Sequence, residues 1–162
     1  MKNADTPLNV STEALLRWLV DRTQISDLLF SFASALDSKD WKRYAENYAD
    51  DGYIELPDPQ STVGATVILR KEKMLELLPK SLGRYVATHH ISTNHQIAID
   101  GNQADSRSYL QAVHVTGKPT DHWTAGGWYD CHYVRTAQVW KFARVKLTAV
   151  WLTGDVGTIR PE

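Results

Sequence analysis

The chain has 162 residues, which is enough for one domain with its own core or with a core built around a pocket. Its 18 lysines and arginines balance 19 aspartates and glutamates to a formal charge of -1, and no basic run occurs, so we expect no nucleic-acid partner. The single cysteine, Cys131, excludes an internal disulfide and a cysteine-based zinc site. No signal-peptide core or membrane-spanning segment is recognisable, so we expect a cytoplasmic protein without a membrane partner.

The first half of the chain is predicted to be mainly helical, after a flexible arm at residues 1–10. Ser11 or Thr12 can cap a first helix, whose apolar residues recur at helical spacing. The pattern resumes from Asp21, and its apolar stripe includes Leu29 and Ala33 at spacings that bring Asp37 close to the buried face. A carboxylate in that position is unusual, because burial requires a partner for it.

Further elements follow at shorter intervals. Asp40 can cap a short helix from Trp41 to Tyr48, and residues 53–56 read as a strand that ends at Pro57. Residues 57–66 are rich in turn formers and predict a loop. Lys71 to Leu82 predicts another helix.

After Gly83 the pattern becomes that of β-structure. Four strand-like segments cover about 85–99, 103–115, 123–136 and 139–152, with turn residues between them. Helices followed by an antiparallel meander predict an α+β fold, with helices packed on one face of a curved sheet. We expect one domain over residues 11–153 and a C-terminal tail over 154–162.

Three residues carry the chemical interpretation: Asp37, His90 and His114. His114 ends a strand face made mainly of small residues around Leu110, which suits a concave sheet with room for a ligand. A merely hydrogen-bonded core histidine is the simpler alternative. His90 lies in a polar row that could line a cavity or face solvent, and a bulge would exchange the two faces. The neighbouring His89 is an alternative candidate for any role of His90.

Other polar residues are weaker candidates. Asn94 could bind a substrate oxygen or fix a local turn, and Tyr53 and Tyr129 could donate to a carbonyl or simply pack. Arg144 could bind an anion or form a surface ion pair. No phosphate loop, dinucleotide fingerprint or nucleophile motif is present, and the histidine spacing matches no familiar metal site, so neither metal nor cofactor is expected.

The sequence resembles scytalone dehydratase over roughly residues 22–152. Asp-Ser-Lys-Asp-Trp at 37–41 resembles the stretch around that family's catalytic aspartate. Thr-His-His resembles the segment with its first catalytic histidine, which falls on His90, and the strand ending at His114 resembles that of the second. Val139-Trp140-Lys141-Phe142 resembles its last hairpin. The resemblance implies the cone-shaped α+β fold of SnoaL-like cyclases, ketosteroid isomerases and nuclear transport factor two, with a pocket between the helices and the concave sheet.

The resemblance also has departures. The two tyrosines that hold a carbonyl-polarising water in the family fall on Leu36 and Leu56, and its substrate-binding serine and asparagine fall on Gly127 and Tyr129. Scytalone itself is therefore not the expected substrate. Hexachlorocyclohexane dehydrochlorinase is similar too: it shares the aspartate at Asp37, the histidine at His90 and an arginine at Arg144.

Together these features predict a cofactor-independent lyase that eliminates water from a small, hydrophobic, cyclic substrate of polyketide or terpenoid type. Asp37 would orient His90 as the base, and His90 or His114 would protonate the leaving hydroxyl. Residues lining the substrate would include Leu36, Leu56, Leu110, Tyr53, Asn94, Tyr129 and Arg144. An isomerase or cyclase, a dehydrochlorinase-like elimination, and a non-catalytic ligand-binding module remain open. We expect a homo-oligomer, with a trimer favoured over a dimer.

Overall fold

The computed structural model describes residues 10–58, 65–118, 120–137 and 139–155. One long helix, α1 (Thr12–Asp37), begins the fold. Ser11 caps it, because its hydroxyl accepts a hydrogen bond from the backbone N–H of Ala14. The two helical patterns that meet at Asp21 form one continuous helix, inside which Asp21 is buried and paired with Arg135.

The shorter elements follow closely. Helix α2 (Trp41–Glu46) is capped by Asp40, strand β1 spans Tyr48–Pro57, and helix α3 spans Lys71–Ser81. Strand β2 (Thr66–Arg70) was not predicted, although its β-branched residues are typical of a strand. It pairs with β1 through Pro57↔Thr66, so the chain forms a hairpin here.

Four long strands complete the sheet: β3 (Ala87–Asp100), β4 (Gln103–Val115), β5 (His122–Thr136) and β6 (Val139–Gly154). The strand order is β2-β1-β6-β5-β4-β3. Every neighbouring pair is antiparallel except β1 and β6, which run parallel because the intervening elements carry the chain across the fold. The sheet is curved and unclosed, and α1 packs on β3 and β6, so the α+β prediction is confirmed.

One face of this sheet, the inner face, carries the main core. On β4 it bears the alternating buried residues from Ala104 to His114, and on β5 it bears Tyr129, Cys131 and Tyr133. The outer face carries charged and aromatic residues. The core therefore lies between α1 and the inner face, and this arrangement directs selected polar side chains toward the same interior.

A bulge in β3 decides which of its residues face inward. The pairing of β3 with β4 shifts between Thr93 and Gln96, with Asn94 in the left-handed region at φ 55. As a result Ile91 is 37% exposed whereas Ile97 is 1% exposed, although both have the same parity in the sequence. His90 precedes the bulge and lies on the inner side, and His89 is exposed.

Some predicted segments lie partly outside the described residues. The arm at 1–10 and the tail at 154–162 are described only at Val10, Gly154 and Asp155, and the predicted loop at 57–66 only at its two ends. Within the described ranges, no helix combines the length and the apolar character that crossing a membrane requires.

Candidate active site

Asp37, the last residue of α1, is held by three hydrogen bonds from β3. The His90 ring Nδ1 lies 2.6 Å from Oδ1, the Thr88 hydroxyl donates to the same oxygen at 2.9 Å, and the His90 backbone N–H donates to Oδ2 at 2.9 Å. A helix C-terminus is unfavourable for a carboxylate, and these three donors compensate for it. The aspartate is thereby fixed to the strand that carries the histidine.

The carboxylate stays ionised at neutral pH. Burial alone would raise the pKa of Asp37, but the hydrogen bonds from His90 and Thr88 and the charge of His90 outweigh it, so the pKa lies below its usual value. An ionised carboxylate can only accept, so Nδ1 of His90 carries the proton. In the neutral form of the ring Nε2 then presents a lone pair, and the His90 side chain is only 7% exposed. The pair is therefore arranged as a general base.

His114 lies beside this pair, with its ring centroid 5.3 Å from that of His90. The His114 ring stacks on Trp123 at 3.8 Å with an interplanar angle of 4°, and Tyr85 contacts it edge-on at 5.0 Å. Burial, followed by the nearby charge of His90, lowers the pKa of His114 to about 3, against the opposing effect of Asp37. His114 is therefore a neutral imidazole at physiological pH.

A second layer of contacts fixes these rings. The indole N–H of Trp123 donates to the Tyr85 hydroxyl at 3.1 Å. Lys39, in the left-handed region at φ 56, donates from Nζ to the Gly83 and Tyr85 carbonyl oxygens at 3.2 and 2.8 Å. The turn after Asp37 is thus tied to the segment that leads into β3.

Three of the predicted lining residues, Leu36, Leu110 and Tyr129, belong to one buried apolar cluster, and the partly buried Leu56 packs against it. Leu36 immediately precedes Asp37 on α1, while Leu110 lies two positions before Ala112, which pairs with His90. The structure therefore brings Leu36 and Leu110 next to the Asp37–His90 pair on the inner side of the sheet.

Three other predicted residues lie elsewhere. Tyr53 and Arg144 pair in register on the outer face, where Arg144 binds Glu55 through Nε–Oε1 at 2.7 Å and NH2–Oε2 at 3.2 Å. Their inner neighbours Ile54 and Val145 are buried. Asn94 is exposed at the β3 bulge, where its positive φ suits asparagine. The structure does not bring these three together with the Asp37 pair.

Sequence reasoning missed three residues of the site. Thr88 lies two residues before His90 and therefore faces the same side of the strand. This shared face could have indicated that Thr88 also contacts Asp37. Tyr85 and Trp123 have no such signal, because their contacts with His114 are tertiary: the register of β4 with β5 pairs Trp123 with the histidine, and Tyr85, which precedes β3, packs edge-on against the same ring. Among the described residues no group of three metal-ligating side chains forms a cation site.

The fold and this site define the class of protein: a cone-shaped α+β fold of the nuclear transport factor 2-like superfamily, with an aspartate–histidine pair inside. The chain belongs to the SnoaL-like domain family, whose model matches residues 17–146.

Individual proteins are similar to most of this chain. An uncharacterized protein of Mycobacterium tuberculosis is 27% identical over 125 residues, covering 76% of this chain and 82% of the relative. A protein from Kribbella flavida has a TM-score of 0.78 at 26% identity, covering 89% of this chain and 99% of that one.

Two further solved structures share the fold. One is a proposed scytalone dehydratase from Novosphingobium aromaticivorans, with a TM-score of 0.72 at 23% identity and coverage of 84% and 88%. The other is a hexachlorocyclohexane dehydrochlorinase of type 3 from Novosphingobium barchaimii, with a TM-score of 0.71 at 19% identity and coverage of 88% and 94%.

The structure explains one departure from the scytalone dehydratase pattern. The serine of that pattern falls on Gly127, where the β5–β6 pairing shifts register. A Cβ at Gly127 would lie 1.9 Å from the carbonyl oxygen of Thr148, far closer than any real contact. This backbone therefore requires glycine, and a side chain at position 127 cannot bind the substrate without a change in the strand.

Proposed function

We propose that the protein is a cofactor-independent lyase that eliminates water from a small cyclic substrate of polyketide or terpenoid type. The observation that carries the proposal is the 2.6 Å contact between Asp37 Oδ1 and His90 Nδ1, in a site where the His90 side chain is nearly buried. Family membership and the fold shared with elimination enzymes support the same class.

In the proposed reaction, Nε2 of His90 removes a proton from the carbon next to a carbonyl group. The electron pair of the broken C–H bond forms the new double bond as the C–O bond to the leaving hydroxyl breaks. The resulting His90 imidazolium, stabilised by Asp37, returns its proton to that hydroxyl, and water leaves. We assign the acid role to His90, since the low pKa of His114 keeps its ring neutral, and the N–H of a neutral imidazole is a far weaker acid than an imidazolium.

Within this proposal His114 contacts the substrate as a neutral imidazole, and Leu36, Leu56, Leu110 and Tyr129 surround its apolar part. Arg144 is paired with Glu55 and Tyr53 lies beside it on the outer face, which argues against substrate contact by either residue. Asn94 instead supports the bulge that turns His90 inward. An isomerase or cyclase would use the same pair to move the proton without a leaving group. A dehydrochlorinase would expel chloride in place of hydroxide, and a binding module would not require the buried pair.

The proposal is tested by turnover of a panel of cyclic β-hydroxyketones, followed by absorbance and mass loss. We expect loss of water with wild type and none with His90→Ala. His132→Ala is the matched control, because His132 also pairs with an aspartate (Asp105, 2.9 Å) but lies on the outer face; it should turn over normally. A new isomer without mass loss would indicate an isomerase or cyclase, and equal dehydration by His90→Ala would refute the proposed role.

We also propose that the protein is a homo-oligomer, a trimer in preference to a dimer. Tyr109 and Trp151 expose about half of their surface on the outer face, and Leu16, Leu19 and Val20 are exposed on the first half of α1. Leu16, Leu19 and Val20 are neighbours at helical spacing, and exposed apolar patches mark interaction surfaces.

Sedimentation of the wild type should give three times the chain mass. Tyr109→Arg should shift it toward the monomer if the outer face forms the contact, and Leu19→Arg should do so if α1 forms it. A monomeric wild type would contradict the proposal. Cytoplasmic location remains a prediction from the single, buried cysteine.

A further inference from the structure

One side of α1 carries a row of residues that contact the bulge of β3. Arg22, Ser26 and Phe30 are four residues apart, so they lie on the same side of the helix. The Ser26 hydroxyl lies 3.1 Å from Nδ1 of His95, and the Phe30 ring centroid lies 5.1 Å from that of His95. Arg22 donates to the backbone carbonyl oxygen of His95 at 3.3 Å. The contacts of this helix face therefore converge on His95.

The His95 ring also spans the bulge itself. Its Nε2 lies 3.2 Å from the hydroxyl of Ser92, a buried residue that precedes the bulge. His95 falls within the register shift that follows Thr93, so the ladder with β4 does not fix its position. Burial lowers the pKa of His95, and the charge of Arg22 acts in the same direction, so the ring is neutral at pH 7. Because a neutral imidazole has one donor and one acceptor nitrogen, it can bridge two hydroxyl groups.

The position of β3 depends on such contacts with α1. Among the described strands β3 lies at the edge of the sheet, with β4 as its one neighbour, and α1 packs on it. Side chains join helix and strand at two separate points, Ser26–His95 and Asp37–His90. Ser26 and Asp37 are about 16 Å apart along the helix. His90 and His95 are also about 16 Å apart along the strand, so helix and strand run side by side between the two contacts.

From this geometry we infer that His95 is a positioning residue for the Asp37–His90 pair: its ring holds β3 against α1, so that Nδ1 of His90 stays within hydrogen-bond distance of Asp37. This role rests on the proposed function, because it affects turnover only if His90 is the base. Without the His95 contact, β3 can tilt about its attachment to Asp37. A displacement of His90 by about 1 Å is enough to lower turnover about 100-fold.

Two substitutions of His95 separate its contact with α1 from its contact within β3. An asparagine amide lies about where the histidine Nδ1 lies, whereas a glutamine amide reaches about as far as Nε2. His95→Asn can therefore keep the bond to Ser26, and His95→Gln can keep only the bond to Ser92. With the cyclic β-hydroxyketone that wild type dehydrates, we expect His95→Asn to keep kcat/KM within about 3-fold, and His95→Gln and His95→Ala to lose about 10- to 100-fold. The loss should lie in kcat, because His95 does not contact the substrate.

Proton NMR measures the same effect without turnover. The 2.6 Å contact of His90 Nδ1 with Asp37 is a short, charge-assisted hydrogen bond, which places the Nδ1–H resonance far downfield. Asp37→Asn identifies this signal by removing it. We expect His95→Asn to keep the signal, and His95→Ala and Ser26→Ala to shift it upfield or broaden it. Ser26→Ala removes a single hydroxyl group and so provides the test even if His95→Ala does not fold.

Ser34→Ala is the matched control on α1. Ser34 lies on the same helix, but its hydroxyl accepts a hydrogen bond from Arg43 of α2 instead of contacting β3. This variant should keep both the downfield signal and the turnover of wild type.

An unchanged downfield signal in both His95→Ala and Ser26→Ala would overturn the positioning role, whatever the turnover of these variants. Full turnover by His95→Gln would overturn it too, because the contact with α1 would then be dispensable. A wild type that dehydrates none of the β-hydroxyketones, but whose signal depends on His95, would refute the proposed function alone and would support the positioning of the pair.

Discussion

Replacing Asp37 with asparagine should lower kcat/KM for the elimination by about 10²- to 10⁴-fold, the usual contribution of a positioned acid or base. The asparagine keeps the shape but loses the charge that stabilises the His90 imidazolium. Asp37 accepts hydrogen bonds from His90 Nδ1, the His90 backbone N–H and the Thr88 hydroxyl. The asparagine amide would place its own N–H donors opposite these donors. The tautomer with a free Nε2 lone pair is then no longer favoured.

The same change should cost only about 1–3 kcal/mol of unfolding free energy, because one buried donor loses its acceptor while the apolar core is unchanged. Steady-state turnover and thermal unfolding measure the two effects separately. Asp105→Asn provides the control, since Asp105 pairs with His132 in an exposed position on the outer face. Normal turnover by Asp37→Asn would show that His90 acts without its carboxylate partner.

Acidification from pH 7 to 4.5 should destabilise the wild type by about 2–3 kcal/mol more than it destabilises His114→Gln, at about 1.4 kcal/mol per pH unit. The pKa of His114 falls from 6.5 to about 3 on folding. Below pH 6.5 the unfolded chain therefore binds a proton that the folded chain does not. Stability contributed by the neutral ring is complete above pH 6.5 and declines as the pH falls toward 3.

Urea unfolding at several pH values measures this difference. Asp37 does not affect this comparison between pH 7 and 4.5. The pKa of its carboxyl is lowered on folding, so the stability that it contributes is lost only as the pH falls below the unfolded value of 3.8. The pKa of His95 is also lowered, mainly by burial, but His95 is present in both proteins and cancels in the comparison. Parallel curves for wild type and His114→Gln would show that His114 takes up its proton at the same pH in the folded and the unfolded chain, and would reopen its role as the acid.

The class of fold and most element boundaries could be predicted because they depend on local patterns. The capping residues Ser11 and Asp40 and the four strand segments all appear within a few residues of their predicted positions. The unbroken helix α1 could not be predicted, because the pairing of Asp21 with Arg135 joins residues far apart in the chain. Strand β2 was missed for the same reason, since its partner β1 lies on the other side of a turn-rich segment.

By itself the sequence determined the presence of a carboxylate at the end of an amphipathic helix and of two histidines within strands. Those features follow from residue spacing alone. Only the tertiary structure decided which groups meet. The β3 bulge turns His90 inward, the β4–β5 register stacks Trp123 on His114, and strand alternation directs Tyr129 inward but Tyr53 and Arg144 outward. A shift of one residue in a strand reverses the face of every side chain beyond it, and pairing between distant strands, which no local pattern specifies, fixes that register.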